Sequence, residues 1–270
     1  MACVMNENTE SDTEIPPEEQ RGAVRERYGS LARADEGCCG ADTETSVDVE
    51  RLGYEDEDAS VAPEAADFSL GCGNPEAIAD LEEGEDVVDL GSGGGFDCFL
   101  AADEVGDEGS VVGVDMTPEM VEKARDNAAE NGFGNVEFRL GEIENLPAAD
   151  ESFDVLISNC VINLSPDKKR VFEEAYRVLR PGGRVAVSDV VRADDIPDSL
   201  VGDIDALSAC VAGAEPPEAI GNYLKDAGFV DVNVEPESDS KEFIQDWDAR
   251  TDPSEFIVSA SITATKPEIE

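Results

Sequence analysis

Strand-like and helix-like runs alternate from Asp86 to Val191, which predicts a doubly wound α/β fold on a seven-stranded, mostly parallel sheet. Two further observations support it. A glycine-rich turn, Gly91-Ser92-Gly93-Gly94-Gly95, follows the first strand run, where open α/β sheets place ligands. Two late strand runs, Phe229 to Val234 and Phe256 to Thr265, are placed to pair antiparallel at the sheet edge.

The elements follow in order. Residues 1–20 are polar and acidic and are expected to form a disordered tail, although a short helix is expected from Glu18 to Leu31. Residues 21–75 form a cysteine-bearing segment with turns at Gly37-Cys38-Cys39-Gly40 and Leu70-Gly71-Cys72-Gly73-Asn74-Pro75. A helix is expected from Pro75 to Leu81. The core, residues 76–192, then runs through a buried strand at Asp86–Leu90, a helix at Phe96–Glu104 and a strand at Ser110–Val114. Thr117 and Pro118 open the next helix, and Asn131-Gly132 stops it.

Strands follow at Asn135–Leu140 and Phe153–Ile157. Ser165-Pro166 is expected to open a helix whose Val171, Phe172, Ala175, Val178 and Leu179 share a face. Pro181-Gly182-Gly183 ends it, and Arg184–Val191 is the fifth strand. Residues 193–270 contribute a helical region around Leu200–Ala209, a helix from Pro217 to Gly228, and the last strand pair. Alternation places Phe256, Val258, Ala260 and Ile262 on one face of the final strand.

Composition excludes several functions. The 270 residues carry 65 acidic and 19 basic side chains, a net charge of -46, with the acids spread through every segment. Such a surface suits a high-salt cytoplasm, because at about 1 M salt the screening length falls to about 3 Å. No basic stripe is available to neutralise phosphates, so nucleic acid is not an expected partner. The N-terminal residues lack the pattern of a signal peptide, and no apolar run reaches the roughly 18 residues of a membrane span. A cytoplasmic monomer is expected. There is no histidine, which rules out Ser-His-Asp and Cys-His catalysis and ordinary Cys/His zinc sites. The seven cysteines, an odd number with no CxxC pair, fit a reduced cytosolic chain better than a disulfide framework.

The glycine turn departs from the dinucleotide pattern G-x-G-x-x-G, because Phe96 stands at its last position. Asp89, two residues before Gly91, is instead placed to meet a cationic group such as an amino acid moiety. Gly91 and Gly93 let the backbone approach a ligand closely. Asp115 closes the second strand where a carboxylate meets ribose hydroxyls. Met116 is expected on an adenine face, with Glu142 and Ile143 along its other edge.

These motifs, with the Arg180-Pro181-Gly182-Gly183 turn, resemble the class I S-adenosylmethionine-dependent methyltransferases over roughly residues 84 to 192. The resemblance implies a Rossmann-like core and S-adenosyl-L-methionine as cofactor. Narrower motifs are Leu70 to Pro75, Asp89 to Cys98, Gly113 to Thr117, Ser158 to Lys168 and Cys210-Val211-Ala212-Gly213-Ala214. Together they resemble the arsenite methyltransferases over about residues 22 to 265. That resemblance implies methylation of trivalent arsenic as detoxification, with Cys160 and Cys210 as the arsenic-binding pair and Cys72 converging with them on the metalloid. It also implies that Cys72 and either Cys38 or Cys39 form a disulfide during turnover, reset by a thioredoxin-like or small-thiol reductant.

The chemistry of the residue types agrees. Trivalent arsenic is soft, so thiols are its natural ligands, and its lone pair needs no general base. Cys98 reads as a small core residue and Cys3 as inert. Asn159 either orients the cofactor or caps a turn; Tyr28 either lies near the cofactor or staples a local helix. Other readings are a methyltransferase acting on a small organic molecule and a thiol-based arsenic sensor without catalysis.

Overall fold

The computed structural model describes residues 15–34, 54, 61–63, 66, 71–197, 200, 202–208, 210–245, 247 and 251–268. Its helices are α1 (Pro17–Ala34), α2 (Glu76–Ala79), α3 (Phe96–Val105), α4 (Pro118–Asn131), α5 (Lys168–Val178), α6 (Ile204–Ser208), α7 (Pro217–Ala227) and α8 (Lys241–Ile244). The strands are β1 (Asp86–Leu90), β2 (Ser110–Asp115), β3 (Val136–Leu140), β4 (Phe153–Asn159), β5 (Leu179–Arg192), β6 (Val230–Glu237) and β7 (Ile257–Thr265). They form one seven-stranded sheet in the order β3-β2-β1-β4-β5-β7-β6. The first five are parallel, and β7 runs antiparallel to both β5 and β6.

The apolar runs explain the layers. A strand covered on both faces must be apolar at successive positions. In β1, Val87 packs into one core and Val88 into the other; in β4, Val155 and Leu156 divide the same way. Each such side chain contributes roughly 1.5–3 kcal/mol when fully buried. The strand order reverses between β1 and β4, which opens a crevice at their carboxyl ends. Among the described residues, no helix is long and apolar enough to cross a membrane.

Helix α1 lies across that crevice. Val24 and Ala32 are buried, and the helix packs on α4 and α6. Its arginines meet acids of the core: Arg25 pairs with Glu142 at 2.7 Å, Arg21 with Glu144 at 3.1 Å, and Arg33 with Glu119. In a chain with 65 acids, this concentration of cations gives α1 a defined seat.

Several boundaries differ from the sequence expectation. Helix α1 already begins at Pro17, inside the stretch expected to be an acidic tail. Helix α5 begins at Lys168 rather than at Ser165-Pro166. Asp167 caps it by accepting from the Arg170 N–H at 3.0 Å, while residues 162–164 form a separate 3-10 turn. The Thr117 side chain does not cap α4; its backbone N–H donates to Asp115 at 2.7 Å. The Arg180–Gly183 turn is absorbed into β5 as an irregularity, where the register with β4 shifts between Phe153 and Val155. Gly182, at φ +83°, accommodates it. Phe256 leaves the predicted alternation: it ends a 3-10 turn and packs with Ile257 in one core, while Ile262 belongs to the other.

Candidate functional site

The glycine turn between β1 and α3 forms the floor of a cavity at the crevice. Gly91, Gly93 and Gly95 all have positive φ, at +73°, +51° and +97°. A Cβ at Gly93 would meet nothing within 4 Å, so the absent side chain leaves open space. The Gly91 and Ser92 N–H groups donate to the Val114 carbonyl, tying the turn to β2. Ser92 Oγ is buried and has no hydrogen-bond partner among the described residues.

Asp115, Met116, Ile143 and Asn159 line this cavity with Gly91 and Gly93. Asp115 accepts from the Gly93 N–H at 3.0 Å, and burial raises its pKa above the ordinary carboxylate value. Two expected residues lie elsewhere. Glu142 pairs with Arg25 and Arg21 of α1, and Glu144 stands at the cavity in its place, accepting from Ser165 Oγ at 2.8 Å. Asp89 lies behind the turn, 2% exposed, where the Cys98 thiol donates to it at 3.2 Å. Its pKa is raised by burial and then by the neighbouring Asp97. Asp97 is the carboxylate that reaches the cavity, and it accepts from the Tyr54 hydroxyl at 2.5 Å.

Three thiols converge at the end of the cavity nearest β4. The Cys160 and Cys72 sulfurs lie within 4.8 Å of each other, and the neighbouring Cys210 and Cys72 thiols, followed by burial, raise the Cys160 pKa well above the ordinary thiol range. The Cys210 thiol also donates to the Cys160 carbonyl at 3.0 Å. Both Cys160 (φ +58°) and Cys210 (φ +64°) adopt the left-handed backbone. That conformation costs about 1–2 kcal/mol for a non-glycine residue and concentrates at functional sites. The two cysteines are two of the five such residues described.

Cys72 reaches the group because glycines flank it. A Cβ at Gly71 would stand 2.7 Å from Asn159 Nδ2, and one at Gly73 would stand 2.1 Å from Ser188 Oγ. Asn159 fixes this turn, accepting from the Cys72 N–H at 3.0 Å and donating to the Gly73 carbonyl at 2.8 Å. It is therefore a brace at the end of β4 as well as a cavity wall. Burial pushes the Cys72 thiol up to about 11. The fold thus favours the protonated thiol; that contribution is intact below the free value of 9.0 and is lost as pH rises towards 11.

The sequence reading missed Asp189. Its carboxylate and the thiol sulfurs of Cys72 and Cys160 lie within 4.8 Å of one another, all buried. A carboxylate flanked by the apolar runs Val185-Ala186-Val187 and Val190-Val191 at the carboxyl end of a buried strand was the available signal. Burial pushes its pKa up to about 6, opposed by three backbone N–H groups and by Lys168. Tyr28 of α1 lines the cavity; burial and then the Cys210 and Cys160 thiols raise its phenol well above its ordinary value. No disulfide joins the described cysteines Cys72, Cys98, Cys160 and Cys210. Cys38 and Cys39 lie outside the described residues.

The chain is similar to known methyltransferases. A family model described as a methyltransferase domain matches residues 81–228. An arsenite methyltransferase from Halobacterium salinarum is 52% identical, aligned over 98% of this chain and 71% of its own length. One from Aquipseudomonas alcaligenes is 45% identical over 65% of this chain, which spans about half (52%) of that relative. The crystal structure of an arsenic(III) S-adenosylmethionine methyltransferase from Chlamydomonas reinhardtii has a TM-score of 0.60 and 38% identity, covering 82% of this chain and 73% of its own. A Haemonchus contortus phosphoethanolamine methyltransferase solved with S-adenosylhomocysteine shares the fold, with a TM-score of 0.63 at 19% identity; it covers 80% of this chain and 54% of its own.

Proposed function

We propose that this chain, which belongs to the S-adenosylmethionine-dependent arsenite methyltransferase family, methylates trivalent arsenic held by the thiols of Cys72, Cys160 and Cys210. The carrying observation is the gathering of thiols from three distant parts of the chain around Cys160, which itself lines a cavity floored by the glycine turn: the Cys72 sulfur lies within 4.8 Å and the Cys210 thiol donates to the Cys160 carbonyl at 3.0 Å.

The cavity fits the cofactor on its own terms. The open space at Gly93 and the unpartnered Ser92 hydroxyl face a groove with carboxylates at Asp97, Asp115 and Glu144 and an apolar side at Met116 and Ile143. In this reading Asp97 meets the cationic amine of the cofactor, Asp115 its ribose hydroxyls, and Met116 and Ile143 its adenine ring. When bound, S-adenosylmethionine supplies an electrophilic methyl group on a sulfonium. The chain's own residues have to hold arsenic in line with that group and exclude water, which is worth roughly 7–11 kcal/mol in favourable cases.

Softness favours sulfur over water as the arsenic ligand. Exchange of arsenous acid with three protonated thiols releases three waters and no net proton, so the raised thiol pKa values do not oppose it. The lone pair of arsenic becomes the new As–C bond, leaving arsenic oxidised by two electrons. Attack of a Cys38 or Cys39 thiol on the arsenic-bound Cys72 sulfur forms a disulfide, breaks that As–S bond, returns two electrons to arsenic and frees one proton, leaving the methylated trivalent arsenic on Cys160 and Cys210; Cys72 with Cys38 or Cys39 is the proposed pair. A thioredoxin-like or small-thiol reductant resets them by exchange. In this reading residues 76–192 hold the cofactor, while residues 21–75 and 193–270 bring in the thiols. The protein acts as a monomer in a reducing cytoplasm, in arsenic detoxification.

The test is incubation of purified protein with arsenite, methyl-labelled cofactor and a dithiol, followed by separation of the arsenic species. Labelled methylarsenicals are expected. Bound arsenite without labelled product would favour a sensor, and label in neither arsenic nor protein would sink the reading.

A further inference from the structure

Beyond the three thiols, the end of β5 carries a buried carboxylate in contact with the loop of Cys160. Asp189 is 2% exposed, and four donors fill its two oxygens. Oδ2 accepts from the backbone N–H of Ile162 at 2.8 Å and of Asn163 at 3.3 Å. Oδ1 accepts from Asn163 Nδ2 at 2.8 Å and from the Val190 N–H at 2.8 Å. With its oxygens so engaged, the carboxylate suits a brace better than a ligand. The preceding residue holds the same loop, its carbonyl accepting from the Cys160 N–H at 2.8 Å and from the Cys72 thiol at 3.5 Å.

The braced loop in turn seats the other thiol-bearing loop. A Cβ at Gly213 would lie 2.2 Å from the Asn163 carbonyl oxygen. The loop carrying Cys210 therefore rests directly on the backbone that Asp189 fixes. Lys168, at the first turn of α5, supplies the cation facing this group: its side chain is 10% exposed, and it lies 3.9 Å from Glu215.

We infer that Asp189 is a positioning residue for the metalloid site, its carboxylate setting the loop of Cys160 and, through Asn163, the distance at which Cys210 can approach. The inference rests on the arsenic reading above. Outer-shell partners of this kind typically change metal affinity or activity 10- to 100-fold when altered. Asparagine at this position would turn an N–H group towards two backbone donors while keeping the side chain's size.

The experiment measures S-adenosylhomocysteine binding, arsenite binding and methyl transfer for wild type, Asp189→Asn and Gly213→Ala. Asp189→Asn is expected to lower arsenite affinity about 10- to 100-fold and to raise the KM for arsenite. Cofactor affinity is expected to stay within about twofold, as for sites sharing no partners. Gly213→Ala removes no hydrogen-bonding group of the Asp189 network but presses on the Asn163 backbone from the other side, and it is expected to weaken arsenite in the same selective way. The double variant is expected to lose less than the product of the two single losses, because both disturb one junction. Arsenite affinity in Asp189→Asn equal to wild type overturns the inference. So does a parallel loss of cofactor and arsenite binding in both variants, which marks general unfolding. Wild type that binds no arsenite overturns the arsenic reading instead.

Discussion

Cys160→Ser is expected to lower methyl transfer to arsenite at least about 100-fold while leaving S-adenosylhomocysteine affinity close to wild type. The Cys160 sulfur lies within 4.8 Å of that of Cys72, the Cys160 carbonyl accepts from the Cys210 thiol at 3.0 Å, and the residue is only 4% exposed. Serine keeps the shape of the side chain and removes the soft donor, so the effect falls on arsenic rather than on packing. Its backbone N–H bond to Ser188 is unaffected by the exchange. Calorimetry with S-adenosylhomocysteine and an assay with labelled cofactor separate the two functions. Near-normal arsenic turnover would remove Cys160 from the chemistry.

The second large effect is expected from Gly91→Ala. Gly91 has φ +73°, and a Cβ there would stand 2.3 Å from Val161 Cγ2. The left-handed backbone alone costs an alanine about 1–2 kcal/mol, and the clash adds to it. Because Val161 follows Cys160, the strain reaches both the glycine turn and the thiol loop. Thermal unfolding should show a loss of roughly 1–3 kcal/mol, and titration at least about a tenfold loss of cofactor affinity, worth about 1.4 kcal/mol. Gly93→Ala is the informative partner, since its Cβ meets no atom within 4 Å. It should retain more stability than Gly91→Ala while still weakening the cofactor. Equal behaviour of the two variants would count against the steric account of the turn.

The frame of the molecule was readable because it rests on local patterns. Val87, Val88, Val111 and Val112 are apolar at successive positions, and a strand buried on both faces requires that. The sequence Asp89 to Phe96 likewise marks its turn, since only glycine tolerates several of its backbone angles cheaply. The details that escaped depend on distant partners. Glu142 and Glu144 are indistinguishable in a short acidic segment; the arginines of α1 draw Glu142 outward, while Ser165 and Arg21 hold Glu144 at the cavity. Asp89 and Asp97 are separated by the fold of the glycine turn, which buries the first behind Cys98 and turns the second to Tyr54. Asp189 looked like one polar residue in a strand, and its role emerges only when Ile162 and Asn163 are folded against it.

The thiol cluster was anticipated through family resemblance rather than by local pattern. No spacing rule brings residues 72, 160 and 210 together; the sheet does, by placing Asn159 and Ser188 where each can grip the Cys72 turn. The paired glycines around Cys72 did carry a readable physical signal, since a side chain at Gly71 or Gly73 would strike those same residues.

X-ray absorption at the arsenic edge, on the protein loaded with arsenite, tests the thiol-cradle account most directly because it counts the atoms bonded to the metalloid. Three sulfur neighbours are expected, falling to two when Cys72, Cys160 or Cys210 is singly replaced by serine. An arsenic shell of oxygen, or a sulfur count indifferent to all three replacements, would contradict it.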